Sequence, residues 1–433
     1  MSIINMYSTL GPYTYNLLAC KIKFLSSNLN FFLQGAVVER FEDCLLIDVF
    51  TPQLWYDSPL PVIAYVGGAS LGRDTQRPRL LTKAAGLAKT KRVVVLSPQV
   101  RRGLLGFFPH PKLAASTYPH TAGNQGVSDL LTALTWVQHN VEHFGGDPEQ
   151  VTFLGHQAGA AMAWPLISSP QGHRLVHSAW VTGSVPLYPE IPWHEADLEL
   201  VDSLNCSTVM CLESIPARTV MEAPPLEWCH PQGHPWLLAD GVIVPFIPSM
   251  PQVPLMHDCT NPNHQWNCLL CMMFYTFASY ILWPVSLFHY IKPGSTEAEA
   301  ALEWYSNLKD DPWLLLTTLV SDATVTCPTL ATAEKLSRTL SHNHPTGTED
   351  VPVYAYVSRH ARVSQAGAVA DGLSDIESIL GVFQTDEDVQ YAQWQSPTPA
   401  HLGVYMLDGN INVEHSRLQC EHWSNSSHLM RRF

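Results

Sequence analysis

From Phe41 onward, short apolar runs alternate with turns rich in glycine, proline and acidic residues, and this rhythm predicts strands and helices in alternation. FEDCLLIDVFTPQ (41–53) reads as an alternating strand that ends at Thr51-Pro52. Pro61 to Tyr65 reads as a second strand, running into Gly67-Gly68-Ala69. Lys91 to Ser97, KRVVVLS, is a continuous apolar run of the kind buried on both faces of a parallel sheet, and Arg101 to Phe107 reads as a turn into the core. Leu130, Leu131, Leu134, Val137 and Val141 recur at helical spacing over 127–141, and Gly145-Gly146-Asp147-Pro148 stops that helix. Val151 to Leu154 is the next strand. Residues 1–35 are apolar and aromatic without a clear period and predict no element.

This order implies an α/β fold, a central and mostly parallel sheet flanked by helices. After Val151–Leu154 comes Gly155-His156-Gln157-Ala158-Gly159 and then a run of small residues that begins a helix. The layout is that of G-x-S-x-G, in which a strained strand-to-helix turn lifts a serine hydroxyl above the end of a sheet. Here the apex is Gln157. A carboxamide cannot attack an ester carbonyl to form an acyl-enzyme, so the turn retains hydrolase architecture without the hydrolase nucleophile. Ser168 and Ser169 lie beyond the helix start, too far along to occupy the apex.

Composition narrows the setting. With 46% hydrophobic and 14% charged residues over 433, the chain can bury a large core. A net charge of −14 disfavours nucleic acid and anionic membrane surfaces as partners. Ten cysteines and the sequons Asn205-Cys206-Ser207 and Asn425-Ser426-Ser427 favour an oxidising compartment. Buried free thiols and chance sequons are the alternative. The N-terminus has no basic region before its apolar part and no clear cleavage site, so an export signal is expected upstream or in atypical form.

EDCLLIDVFTP (42–52), RVVVLSPQVRRGLLGFF (92–108) and the whole of 123–161 together resemble the type-B carboxylesterase and cholinesterase family. HPWLLADGVIVP (234–245), SDATVTCPTLATAEKL (321–336) and PVYAYVSRH (352–360) follow in the family's order. GHQAGA at the elbow and VADGLSDIESILGVF (369–383) are similar to its non-catalytic, cell-adhesion branch. The resemblance implies an α/β-hydrolase domain over 36–433, shortened at the N-terminus and again after Phe383, where relatives carry a helical stretch that some use to dimerise. Oligomeric state is left open.

The family's other catalytic positions are degenerate too. Its base is a histidine in a G-x-x-H-G loop, whereas Gly367 to Glu377 holds no histidine, and His360 matches a different position. Its oxyanion run, His-Gly-Gly-Gly, corresponds to Val66-Gly67-Gly68-Ala69, which keeps two glycines. Its acid turn falls where the chain departs most, about 251–293. No Asp, Glu, Lys or Arg occurs between Asp258 and Lys292, long enough for a membrane span but interrupted by Pro284 and set inside the fold. A buried insertion or a gene-model error is the expectation. Cys259, His264, Cys268 and Cys271 within it offer four potential ligands, yet the apolar Leu-Leu and Met-Met around the last pair lack knuckle turns, so no metal or cofactor is expected. The resemblance pairs Cys206 with Cys211, Cys327 with Cys420, and Cys44 with an upstream cysteine, for which Cys20 is the candidate.

The expectation is therefore a catalytically inactive carboxylesterase-like domain acting as an extracellular recognition module in heterophilic adhesion. Its parent would be membrane-anchored and its ligand a secreted immunoglobulin-type protein. Two competitors remain: an esterase with a displaced nucleophile, and a mis-spliced product that does not fold.

Overall fold

The computed structural model describes residues 2–6, 45–52, 54, 58–68, 71, 79–116, 118, 120–121, 123–169, 171–182, 206, 208–222, 237–238, 240–244, 255–258, 303–306, 315, 322, 327, 353–357, 362–364, 367–369, 376, 404–406 and 420. The chain forms two compact units, Met1–Val181 with Pro186–Leu255, and Thr182–Val185 with Met256–Phe433.

The first unit is built on β2 (Ile47–Thr51), β3 (Leu60–Val66), β4 (Val94–Pro98), β5 (Gly146–His156) and β6 (Ser178–Thr182). A further strand, β1 (Ser2–Met6), pairs antiparallel with β2, so the segment that carried no periodic signal supplies an edge to the sheet. The order is β1-β2-β4-β3-β5-β6. β2 is antiparallel to β4, whereas β3 is parallel to both β4 and β5. The β-rich middle is apolar because strands covered on both faces bury every side chain. Val62, Ala64, Val94, Val95, Leu96, Val151, Phe153 and Leu154 are all fully buried. Each such valine or leucine contributes about 1.5–3 kcal/mol of transfer free energy.

Three helices cover this sheet. α1 (Arg79–Lys91) packs on β2 and β4, α4 (Gln125–Asn140) on β5, and α5 (Ala158–Ser168) on β5 and β3. Between them lie the short helices α2 (Leu104–Phe107) and α3 (Pro111–Ser116). The apolar run expected to start at Lys91 is divided: Lys91 ends α1, and the strand starts at Val94. Arg92, at φ 55°, makes the left-handed turn between them, with the Val93 N–H closing on the Ala88 carbonyl at 3.2 Å. The expected α4 stripe is present, with Val127, Leu130, Leu131, Leu134 and Val137 buried. Val141 belongs instead to a 3₁₀ turn, Val141–Phe144, which ends at Gly145 with φ 78°. β5 begins at Gly146, five residues before the expected Val151, because Gly146 already pairs with Leu60 of β3.

Asn124 caps α4 in position but not in chemistry. Its side chain makes no cap bond and reaches instead to Leu238, donating to the carbonyl at 2.7 Å and accepting the N–H at 3.3 Å. Beside it Thr121 donates to Asp240, whose other oxygen accepts the backbone N–H groups of Val242, Ile243 and Val244 at 2.8–2.9 Å. The LLADGVIV stretch is thereby clasped to the start of α4.

β7 (Leu255–Asp258) is the next strand in the chain, and the second unit contains β8 (Val353–Val357) parallel to β11 (Val404–Met406) and a hairpin of β9 (Arg362–Ser364) with β10 (Gly367–Val369). Tyr305 donates to Asp322 at 3.0 Å, and Cys327 is bridged to Cys420 across a separation of 93 residues. In the first unit Cys206 is bridged to Cys211. Cys20 and Cys44 lie outside the described residues, as do Asn205, Asn425, His360, Cys259, His264, Cys268 and Cys271. No helix among the described residues is long and apolar enough to cross a membrane.

The loop before α2 is held by charge. Arg101 donates through Nε and Nη2 to the two oxygens of Asp129 on α4, both at 2.7 Å, and its backbone N–H adds a third bond at 3.0 Å. Asp129 is 6% exposed. Removing one partner of such a pair strands a buried charge, so Asp129→Ala is expected to cost about 3–5 kcal/mol in a urea titration. A loss below about 1 kcal/mol would show that the pair does not hold the loop.

Candidate functional site: a hydrolase elbow with glutamine at its apex

β5 ends at His156 and α5 begins at Ala158, leaving a single residue to reverse the chain. That residue, Gln157, has φ 51° and ψ −107°, a backbone conformation that L side chains rarely adopt. It differs from the left-handed cap at Arg92, since no ordinary helix ending calls for it. Strain of this sort costs about 1–3 kcal/mol and persists only where the surroundings over-determine it.

Two glycines do the determining. A Cβ on Gly155 would stand 2.6 Å from the Gly159 carbonyl oxygen and 2.9 Å from the Ala160 nitrogen. A Cβ on Gly159 would run into the carbonyl of Val66 at the end of β3. The helix therefore starts in backbone contact with both its own strand and the neighbouring one. Around it, His156 is buried and Gln157 half-buried, and no side-chain hydrogen bond of Gln157 is made among the described residues.

The structure brings the glycine run that follows β3 to this elbow. Gly68 has φ 131°, accessible in practice to glycine, and its carbonyl accepts the Ala158 N–H at 3.0 Å. In a working hydrolase the N–H of the residue after the nucleophile is one of the oxyanion donors. Gly67 sits against the ring of Tyr65, where a Cβ would be 2.8 Å from Cζ, and its carbonyl accepts from Arg102 Nη2 at 2.5 Å. Arg102 is 7% exposed. Of the sequence-derived site residues, Gly67, Gly68, Gly155, His156, Gln157 and Gly159 thus form one constellation, and Ala69 lies outside the described residues.

A family model for carboxylesterases matches residues 23–279, well over half of the chain. The chain belongs to the carboxylesterase family. Its fold is accordingly the α/β-hydrolase fold, with the parallel β4-β3-β5 core and the elbow in their expected relation. Neurotactin of Drosophila melanogaster is 33% identical over 220 residues, which are 47% of this chain and 26% of that protein. Human cocaine esterase is 32% identical over 213 residues, 49% of this chain and 36% of the enzyme. Human carboxylesterase 3 is 31% identical over 246 residues, 52% and 40% of the two chains. The chain therefore matches less than half the length of each of these relatives.

Ser169, one of the two serines that follow the elbow in sequence, is described in the structure. It is buried at the end of α5, where its Oγ donates to Leu166 O at 3.0 Å and accepts the Gly172 N–H at 2.8 Å. Those bonds tie it to the turn that follows the helix. The stretch expected from the resemblance to correspond to the family's base loop, 367–377, is described only at Gly367–Val369, which form β10, and at Ile376, which is buried. Arg102 and Ala158 were not singled out from sequence. A second arginine beside Arg101, in a stretch otherwise entering the core, was the available signal for the first.

Because Gln157 holds a conformation that suits glycine, Gln157→Gly is expected to stabilise the domain by about 1 kcal/mol, relief of strain outweighing the added unfolded-state entropy. Gln157→Val is expected to destabilise it by at least about 1 kcal/mol. Urea midpoints read both, and equal midpoints for the two variants would show that the apex is not strained.

Proposed function

We propose that this chain is a non-catalytic carboxylesterase-like domain that serves as an extracellular recognition module in heterophilic cell adhesion. The observation that carries the reading is Gln157 at the apex of a retained elbow: the place where a hydrolase presents its nucleophile holds a carboxamide, which forms no acyl intermediate. The absence of a histidine from 367–377 removes the general base of the same chemistry. The Ser169 hydroxyl does not substitute, being engaged at the far end of α5. A scaffold of this class hosts catalysis or binding according to its site. The similarity to neurotactin, together with the motifs shared with the family's adhesion branch, directs the choice towards binding.

On this reading recognition resides in surface loops, and the partner is a secreted protein with immunoglobulin-type domains. The parent protein presents the domain on the outer face of the plasma membrane, where the bridges Cys206–Cys211 and Cys327–Cys420 are stable. Closure of the longer loop contributes about 4–5 kcal/mol in the chain-entropy account.

The purified domain is expected to show no saturable hydrolysis of p-nitrophenyl acetate and no covalent labelling by a fluorophosphonate. Gln157→Ser alone is expected to leave both at background. Cells displaying the domain should aggregate only when a secreted immunoglobulin-domain partner is supplied. Saturable turnover that a single substitution abolishes would establish the esterase with a displaced nucleophile instead.

A further inference from the structure

We propose that Arg102 is a positioning residue that keeps the oxyanion site of the elbow closed by turning the chain's own Gly68 carbonyl onto the Ala158 N–H. This concerns the same elbow and rests on the non-catalytic reading of it, but it adds a second and separate block. Loss of the nucleophile leaves an empty anion cradle. Here the cradle is filled from within.

The argument runs through one peptide plane. Arg102 Nη2 donates to Gly67 O at 2.5 Å, and a charge-assisted bond of this kind is stronger and more directional than a neutral one. The Gly67 carbonyl and the Gly68 N–H belong to the same planar peptide unit, so fixing the first fixes the second in the opposite direction. The Tyr65 ring lies against Gly67 and limits its displacement. Gly68 at φ 131° then turns its own carbonyl towards α5, where it meets the Ala158 N–H at 3.0 Å. Reopening the site would mean swinging this carbonyl away, and an anion entering beforehand would meet a carbonyl oxygen in place of a donor. Arg102 itself is held by its place in the fold. It follows Arg101, which is committed to Asp129, and it precedes Gly103, whose N–H donates to Leu71 O at 2.8 Å.

The test is hydrogen–deuterium exchange of the Ala158 amide, followed by NMR on the full chain labelled with ¹⁵N-alanine and ¹⁵N-leucine, with the Leu154 amide of β5 as internal reference. In the unsubstituted protein the Ala158 amide is expected to exchange at least about 100-fold more slowly than an unprotected peptide. Exchange at the unprotected rate overturns the proposal, and this outcome needs no variant that folds. Arg102→Leu is expected to accelerate Ala158 about tenfold or more while leaving Leu154 unchanged, and Arg102→Gln, which keeps an N–H donor, should retain most of the protection. Equal acceleration of Ala158 and Leu154 in the leucine variant would assign Arg102 a general structural role and overturn its positioning one. Ester hydrolysis by the unsubstituted protein would sink the non-catalytic reading without bearing on the exchange result, so the two failures are distinguishable.

Discussion

Two absent Cβ atoms, at Gly155 and Gly159, set the geometry on which the elbow depends. With them, the backbone of α5 reaches the backbone of β5 and the end of β3 at distances no side chain would permit. The sheet and helix then leave room for one connecting residue, and its dihedral angles follow from the packing rather than from its own preference. This explains how the bend survives with glutamine at its apex. A nucleophile is one use of such a turn; close strand-to-helix contact is another, and it acts on the fold whether or not chemistry follows.

Two adjacent arginines divide the remaining work. Arg101 is spent on Asp129 and binds the loop to α4, while Arg102 reaches the glycine run that follows β3. The carbonyl of Arg101 is itself wedged between Gly106 and Gly126, where added Cβ atoms would overlap it. The site is therefore bounded by backbone contacts and by two hydrogen-bonded guanidinium groups, of which that of Arg102 is buried. At the start of α4, Asn124 and Thr121 are engaged by Leu238 and Asp240. Any recognition surface built from the outer loops of this domain stands on a floor that is tied from several directions.

Much of the first unit could be read from residues. The helical spacing of α4 and the apolar runs of β3 and β4 reflect burial, which hydrophobic pattern reports directly. Where pattern failed, a different force had taken over. The start of β5 carries turn chemistry, and Asp147 does accept the Glu149 N–H at 2.9 Å, yet pairing of Gly146 with Leu60 draws the same residues into the strand. Lys91 continues an apolar run in sequence but closes a helix in space, because Arg92 breaks the direction there. At the elbow, the glycines were legible as close approaches, since glycine is the residue that close approach demands. The Gly68-to-Ala158 bond was not, because a contact between two main-chain groups leaves no trace in side-chain identity.

The strand order also has a temporal consequence. Pairings among β2, β3, β4 and β5, the Arg101–Asp129 pair and the elbow itself are all contained between Ile47 and Ser169. A chain emerging from the ribosome therefore holds every partner for these contacts well before its second half exists, and domains fold preferentially in that direction. The clasp of Leu238 and Asp240 on α4 comes afterwards. It closes over a core already able to form, and so acts as the late seal of the first unit.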